Sequence, residues 1–209
     1  MPLSSDPRKR TGRRPGSTQT KGAVVLAARR LFAEAGYDRA TIRAIATEAG
    51  VDPALVVHYF GSKEALFREV MELPPAVAEA IANLADGPRS SVGRRLAAAV
   101  IASFENPATR DIVVGRIRSA SSHPDAAELV RQTVERDIVK LAANLDVEQP
   151  ELRAALAGSV IVGTAFARYV VGVEPLASLE ADALVDVLAP TLQRVLTGAL
   201  GPYDVDRAG

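Results

Sequence analysis

The side chains best placed for chemistry lie in the run TIRAIATEAGVDPALVVHYF, residues 41–60. Their types suit recognition of a nucleic acid rather than catalysis. A helix that ends at Gly50, turns through the apolar Val51 and restarts behind Asp52 and Pro53 has the outline of a helix-turn-helix. Asp52 is suited to cap the second helix, and Pro53 fits its first position, where a missing N–H costs nothing. At about 100° per residue, Val56 and Phe60 point the same way and must be buried. Ala54 and His58 point the other way, Leu55 and Val57 flank them, and Tyr59 sits at the edge. A solvated helix would carry Lys and Glu on such a face. Small apolar groups, an imidazole and a phenol suit thymine methyls, base edges and sugars.

Little else in the sequence competes with that chemistry. The chain has 209 residues, no Cys and two His. That excludes a disulfide scaffold, a thiolate metal site and a cysteine nucleophile, and it removes most zinc chemistry. There is no HExxH, Gly-rich phosphate loop or acidic cluster, so neither an enzyme nor a metal or other cofactor is expected. The formal net charge is zero, with 25 basic and 25 acidic residues. The charges are unevenly placed. Residues 1–72 hold twelve Lys and Arg against eight Asp and Glu, a net of +4, and the remainder is −4. Arg8, Lys9, Arg10, Arg13, Arg14 and Lys21 concentrate the excess at the start. Such asymmetry points to an anionic partner at one end.

The elements that must position these residues are helices. Residues 1–17 are polar and rich in Pro and Gly, and read as a disordered basic arm. From Thr18, Val24, Ala28, Leu31 and Ala35 recur with helical period until Gly36. Thr41 is a candidate N-cap for a helix to Ala49 whose inner face is Ile42, Ile45, Ala46 and Ala49. After the helix at 53–60, Gly61 breaks and Ser62 caps another to Leu73. Pro74-Pro75 marks a domain boundary. Further helices are expected near 76–85, 90–105, 108–121, 125–145, 149–172 and 180–197, with Pro190 kinking or splitting the last. Residues 74–200 form the second domain and 201–209 a flexible tail. The class is all-α. No apolar run at the start suggests a signal peptide, and the uncharged stretch Ala154–Ala167 has fourteen residues, short of the roughly 17–25 of a span. A cytoplasmic chain with no membrane partner is expected.

The run FAEAGYDRATIRAIATEAGVDPALVVHYFGSKEALF, residues 32–67, closely resembles the DNA-binding domain of TetR-family transcriptional repressors. It joins Phe-x-x-x-Gly-Tyr, Thr-x-x-x-Ile-Ala, Ala-Gly-Val and Phe-Gly-Ser-Lys-Glu at that family's spacings, over about residues 20–70. Residues 104–197 resemble, more loosely, the ligand-binding and dimerisation half of an actinobacterial-type branch. The resemblance implies an N-terminal three-helix helix-turn-helix domain and a larger C-terminal helical domain. It places Thr41 at a phosphate, Arg43 within reach of a base, Pro53, Ala54, Leu55, Val57, His58 and Tyr59 on the recognition helix, and Lys63 at a second phosphate. Thr41 is also an N-cap, and Arg43 is open to reading as a solvated charge. The family often has Tyr where this chain has Val57 and His where it has Tyr59, so Tyr59 or His58 would replace that tyrosine's phosphate contact. The arm is either a minor-groove reader or a solubilising tail.

The family plan further implies a homodimer on double-stranded operator DNA and a small-molecule effector that releases it. The sequence offers Ala155, Ser159 and Gly163 as a small-residue face, and Leu184, Leu188, Leu192 and Val195 as an apolar one, for a four-helix interface. Candidate effector contacts are Phe104, Arg116, His123, Phe166 and Tyr169, large or polar residues within apolar helices. The alternative is a constitutive or architectural DNA binder without a pocket.

Overall fold

The computed structural model describes residues 17–201, so all but the last residue of the basic arm and all but the first of the tail lie outside the described residues. Helix α1 spans Ser17–Arg39 and is interrupted by Gly36, at φ +76° and ψ 173°, a region that glycine enters without steric cost. Helices α2 (Ile42–Ala49), α3 (Pro53–Phe60) and α4 (Lys63–Val70) follow, each started by the expected cap. Thr41 Oγ1 accepts from the Ala44 amide at 3.1 Å, Asp52 Oδ1 from Ala54 at 2.7 Å, and Ser62 Oγ from Ala65 at 3.1 Å. Each cap satisfies an amide that the first helical turn leaves without a carbonyl, worth about 1 kcal/mol. One apolar cluster holds these four helices together. Phe32, Ile45, Ala46, Val56, Leu66 and Phe67 are fully buried in it.

The rest of the chain is also helical: α5 (Pro75–Ala82), α6 (Val92–Glu105), α7 (Arg110–Ser119), α8 (Pro124–Gln132), α9 (Val139–Ala143), α10 (Pro150–Ala165) and α11 (Ala181–Thr197). Short 3-10 turns join α5 to α6. No strand occurs among the described residues. Two stretches wind as π-helix: Thr133–Ile138 links α8 to α9, and Phe166–Val171 extends α10. A second cluster, including Leu96, Phe104, Leu141 and Ala157, is their core.

Helix α11 lies hard against α6. A Cβ on Gly93 would stand 2.3 Å from the Gln193 amide nitrogen and 2.6 Å from the Ala189 carbonyl oxygen, so only glycine permits this crossing. The contact corrects part of the expected dimer face: Leu184 and Leu192 are fully buried in the protomer's own core. Apolar type alone did not say which side of α11 faces inward. Pro190 does not split the helix. It lies exposed within α11, where water can solvate the carbonyl its ring leaves unbonded.

The continuous helical run Pro150–Val171 is 22 residues, long and apolar enough to cross a membrane, and longer than its uncharged stretch. Its arginines serve packing. Arg153 is buried and donates to the carbonyls of Glu148, Val195 and Gly198, fastening the end of α11. Arg168 donates to the Leu176 carbonyl.

Candidate nucleic-acid interface and the cavity behind it

The turn between α2 and α3 is built as the residues require. Gly50 sits at φ 67° and ψ 34°, its amide bonds back to α2, and the Val51 amide donates to the Ala46 carbonyl at 2.9 Å. The left-handed glycine ends α2 abruptly, and Val51 tucks partly beneath it. Val56 and Phe60 are buried, which fixes the rotation of α3. Pro53, Ala54, Val57 and His58 are exposed, with Leu55 and Tyr59 half-buried beside them. Val57 is 48% exposed, an apolar group held in water on the outward face of α3. Thr41 and Arg43 are exposed at the start of α2. Arg43 pairs with no carboxylate among the described residues. The surface therefore offers a hydroxyl, a guanidinium, an imidazole and a phenol around a small apolar ridge, a set able to meet phosphates and base edges.

Lys63 starts α4, half-buried, with Nζ 4.1 Å from the centre of the Tyr37 ring. A cation over a ring face is held there electrostatically, so Lys63 has an intramolecular partner as well as a position at a helix start. Tyr37 donates its hydroxyl to Glu64 Oε1 at 2.9 Å. On its other side, the His123 ring lies 3.6 Å away, centre to centre. His123 is thus at the junction between the two apolar clusters, as the residue before α8, and does not line the cavity beside Arg116. That corrects its expectation as an effector contact: the nearest aromatic neighbours belong to α1 and α4.

That junction is extensive. The Tyr37 amide donates to Ser119 Oγ at 2.9 Å, and Arg118 Nε donates to the Ala33 carbonyl at 2.6 Å. A Cβ on Gly115 would stand 3.0 Å from the Met71 sulfur and 3.3 Å from the Ala33 amide, so α7 lies close on α1 and the end of α4. Arg68 of α4 pairs with Asp125 of α8 at 2.8 Å. Ala126 of α8 is buried in the N-terminal cluster. None of these ties was expected from the sequence. Nothing in the residues around Gly115 says what approaches them.

Arg116 connects this junction to a cavity. Its side chain is 5% exposed, and burial pushes the guanidinium down to about 10, so it is still charged at neutral pH. Nε donates to the Met71 carbonyl at the end of α4, and Nη1 to Thr133 Oγ1 at 3.2 Å. The cavity beside it holds about 80 Å³ and is lined by Leu73, Phe104, Val113, Ile117, Thr133 and Val134, among others. Phe104 and Arg116 thus share a cavity. Tyr169 does not reach it: its ring lies 5.2 Å from Phe104, its hydroxyl donates to Glu105 at 2.7 Å, and it borders a separate, smaller void on the far side of Phe104. Phe166 is 43% exposed and lines neither space, because the π-helical turn it starts leaves it facing outward.

Ala155, Ser159 and Gly163 are exposed along one face of α10, and Leu188 and Val195 are half-buried on α11. Val187, 63% exposed, stands out from α11 where Leu184 and Leu192 do not.

Comparison with known proteins agrees with this architecture. Residues 24–70 match the family described as bacterial regulatory proteins, tetR family, and residues 90–196 match the tetracyclin repressor-like C-terminal domain. An HTH-type transcriptional repressor of Mycobacterium tuberculosis is 42% identical over 59 residues, 26% of this chain and 32% of that repressor. The chain therefore spans about a third of the length of that curated relative. A TetR-family regulator of known structure from Streptomyces coelicolor A3 is 35% identical, with 89% of this chain covering 99% of it at a TM-score of 0.52. A complex of SmeT with triclosan shares the fold at a TM-score of 0.61 and 18% identity, with 89% of this chain covering 98% of that one.

Proposed function

The chain belongs to the TetR family of bacterial transcriptional regulators, and on that premise we propose that it is a ligand-responsive, dimeric repressor that binds operator DNA and releases it when a small molecule enters the C-terminal half. The observation that carries this reading is the position of α7. Helix α7 lines the cavity through Val113, Arg116 and Ile117. The same helix is hydrogen-bonded to α1 through Ser119 and Arg118, and Arg116 itself bonds the end of α4; α1 and α4 flank the helix-turn-helix. A rearrangement of the cavity wall would therefore move the reading helix, which is a coupling free energy between two sites. The triclosan complex of SmeT supports a small molecule as the input.

Residues 18–73 serve as the DNA-binding domain and 74–200 as the effector and dimer domain. Thr41 and Lys63 hold phosphates, Arg43 reaches a base, and Pro53, Ala54, Leu55, Val57, His58 and Tyr59 face the major groove. Two copies pair through the α10 face of Ala155, Ser159 and Gly163 and through Leu188, Val195 and the exposed Val187 of α11. Two-fold symmetry then spaces the reading helices about 34–36 Å apart. A regulator of this kind works in the cytoplasm, where the chromosome is. The small size of this cavity favours one second reading, a constitutive DNA binder that takes no effector.

The test selects duplexes from a random library with the full-length chain and measures their affinity by fluorescence anisotropy. Arg43→Ala with His58→Ala should abolish preference for the selected duplex over random DNA, with the helical circular dichroism unchanged. Retained preference would remove α3 as the reading helix. Lys63→Ala should weaken binding to both duplexes and flatten the dependence on log salt by about one unit. A panel of small molecules then separates the two readings: loss of DNA affinity with any of them supports a ligand-responsive repressor, and no change with all of them supports the constitutive one.

A further inference from the structure

We propose that the effector is a carboxylate on an apolar chain, bound with its head on Arg116 and its chain passing Val134 into the groove between the π-helical segment and α10; this rests on the ligand-responsive reading above. The starting point is a buried guanidinium without a direct ion pair among the described residues; the carboxylates of Glu72 and Asp137 act on it only from beyond ion-pair distance. Arg116 is 5% exposed, yet it pairs with no carboxylate among the described residues. Its two hydrogen bonds go to neutral oxygens, the Met71 carbonyl and the Thr133 hydroxyl, and Nη2 makes none among the described residues. Buried charges are ordinarily paired, because desolvation costs more than neutral acceptors return. Nearly all the remaining cavity wall is hydrocarbon, from Leu73, Phe104, Ile117, Val130 and Ile138.

These facts select a ligand class. A cation would meet the like charge of Arg116. A neutral apolar molecule would leave the guanidinium as poorly served as before. A dianionic phosphate would leave a surplus negative charge in an apolar cavity, since no second cationic residue lines it. A carboxylate matches one guanidinium in charge and in geometry, through two parallel N–H bonds.

The space continues outward. Val130, Val134, Gly158 and Val162 line both the cavity of about 80 Å³ and an outer groove of about 710 Å³. Val134 sits over Gly158, where a Cβ would stand 2.7 Å from Val134 Cγ2. Its isopropyl group is therefore part of the wall that the two spaces share. The inner one holds a carboxylate and the first methylenes; the rest of the chain needs Val134 to turn aside. Val134 belongs to the π-helical segment, and such segments are found often at functional sites. The head group also explains the output. A carboxylate on the Nε–Nη2 edge takes the Nε hydrogen bond away from the carbonyl of Met71, the residue that ends α4 behind the reading helix.

The experiment uses the full-length chain and the selected duplex, with sodium octanoate, 1-octanol, octylamine and sodium acetate as probes, followed by calorimetry and by anisotropy. Octanoate should bind and lower DNA affinity, with octanol and octylamine at least tenfold weaker and acetate inactive. Arg116→Gln should weaken octanoate at least tenfold, and Arg116→Lys, which keeps the charge without the fork, by less. Because Arg116 also ties α4, Val134→Ala supplies an independent arm. It should raise octanoate affinity several-fold, with the helical circular dichroism unchanged. Octanol binding as tightly as octanoate, no octanoate binding at all, or octanoate affinity insensitive to both Arg116→Gln and Val134→Ala would each overturn the proposal. If a neutral or cationic compound releases DNA and no carboxylate does, this inference fails and the ligand-responsive reading stands. If octanoate binds through Arg116 without altering DNA affinity, the effector site stands as a binding site and the regulatory reading fails.

Discussion

Glu64 is an exposed carboxylate with an unusual number of donors. Backbone amide, then the Ser62 hydroxyl, then the Tyr37 hydroxyl hold it below the ordinary glutamate value of 4.5. Burial, followed by the bond to Glu64, pushes the Tyr37 hydroxyl above its ordinary range in turn. A depressed carboxylate means that the folded state binds its proton less tightly than the unfolded chain. The stabilisation is complete above about pH 4.5 and is lost as pH falls through the depressed value. Glu64→Gln should therefore lower the melting temperature at pH 7 and differ little from the parent near pH 3; equal differences at both pH values would exclude the charged form as the source. At this scale the sequence was legible where a residue answers to its neighbours in the chain. Thr41, Asp52, Ser62 and Gly50 do what their local positions require. His123 was not, because its partners, Tyr37 and Phe67, are 86 and 56 residues away in the chain.

Among the elements, α3 could be oriented from Val56 and Phe60 alone because two buried positions set the rotation of an eight-residue helix. For α11 the same reasoning failed. Its apolar residues cover more than one side, and only the close crossing with α6 at Gly93 decides which of them turn inward. The π-helical segments were invisible for a related reason: one extra residue per turn shifts the faces without changing the composition. Gly93→Ala tests the crossing. Its Cβ would strike backbone, which has no rotamer to yield, so the helices must separate. A loss of roughly 1–3 kcal/mol or more is expected from overpacking, read by urea unfolding. Stability unchanged by that substitution would mean that α6 and α11 are not held so close. Alanine is the better helix former by up to about 1 kcal/mol, so the sign of the change isolates the contact from propensity.

Over the whole molecule, the neutral total charge conceals a division, with a net of +4 over residues 1–72 and −4 beyond. The positive part carries the surface proposed to meet phosphate, and the motif within it was the most legible feature of the chain. Pairing of two copies was legible only as a choice of small and apolar residues. Of the seven residues expected there, Leu184 and Leu192 belong to the internal core, while Ala155, Ser159 and Gly163 remain exposed together on α10. Gly163→Glu places a charge on that face with open space around it and no positive φ to strain. It should yield monomers in sedimentation velocity and weaken DNA binding, with thermal stability of the isolated fold near the parent's. Dimers that persist would move the interface off α10.

Tyr37 has a further consequence. The chain has no Trp and four Tyr, and this one is wedged between the ammonium of Lys63 and the ring of His123, with Phe67 edge-on at 5.2 Å. Its transition dipole is thus fixed by groups from both halves of the molecule. The junction carries a native optical label: loss of docking between α7–α8 and α1–α4 should be visible in the near-ultraviolet dichroism of an unmodified sample, ahead of any change in helix content.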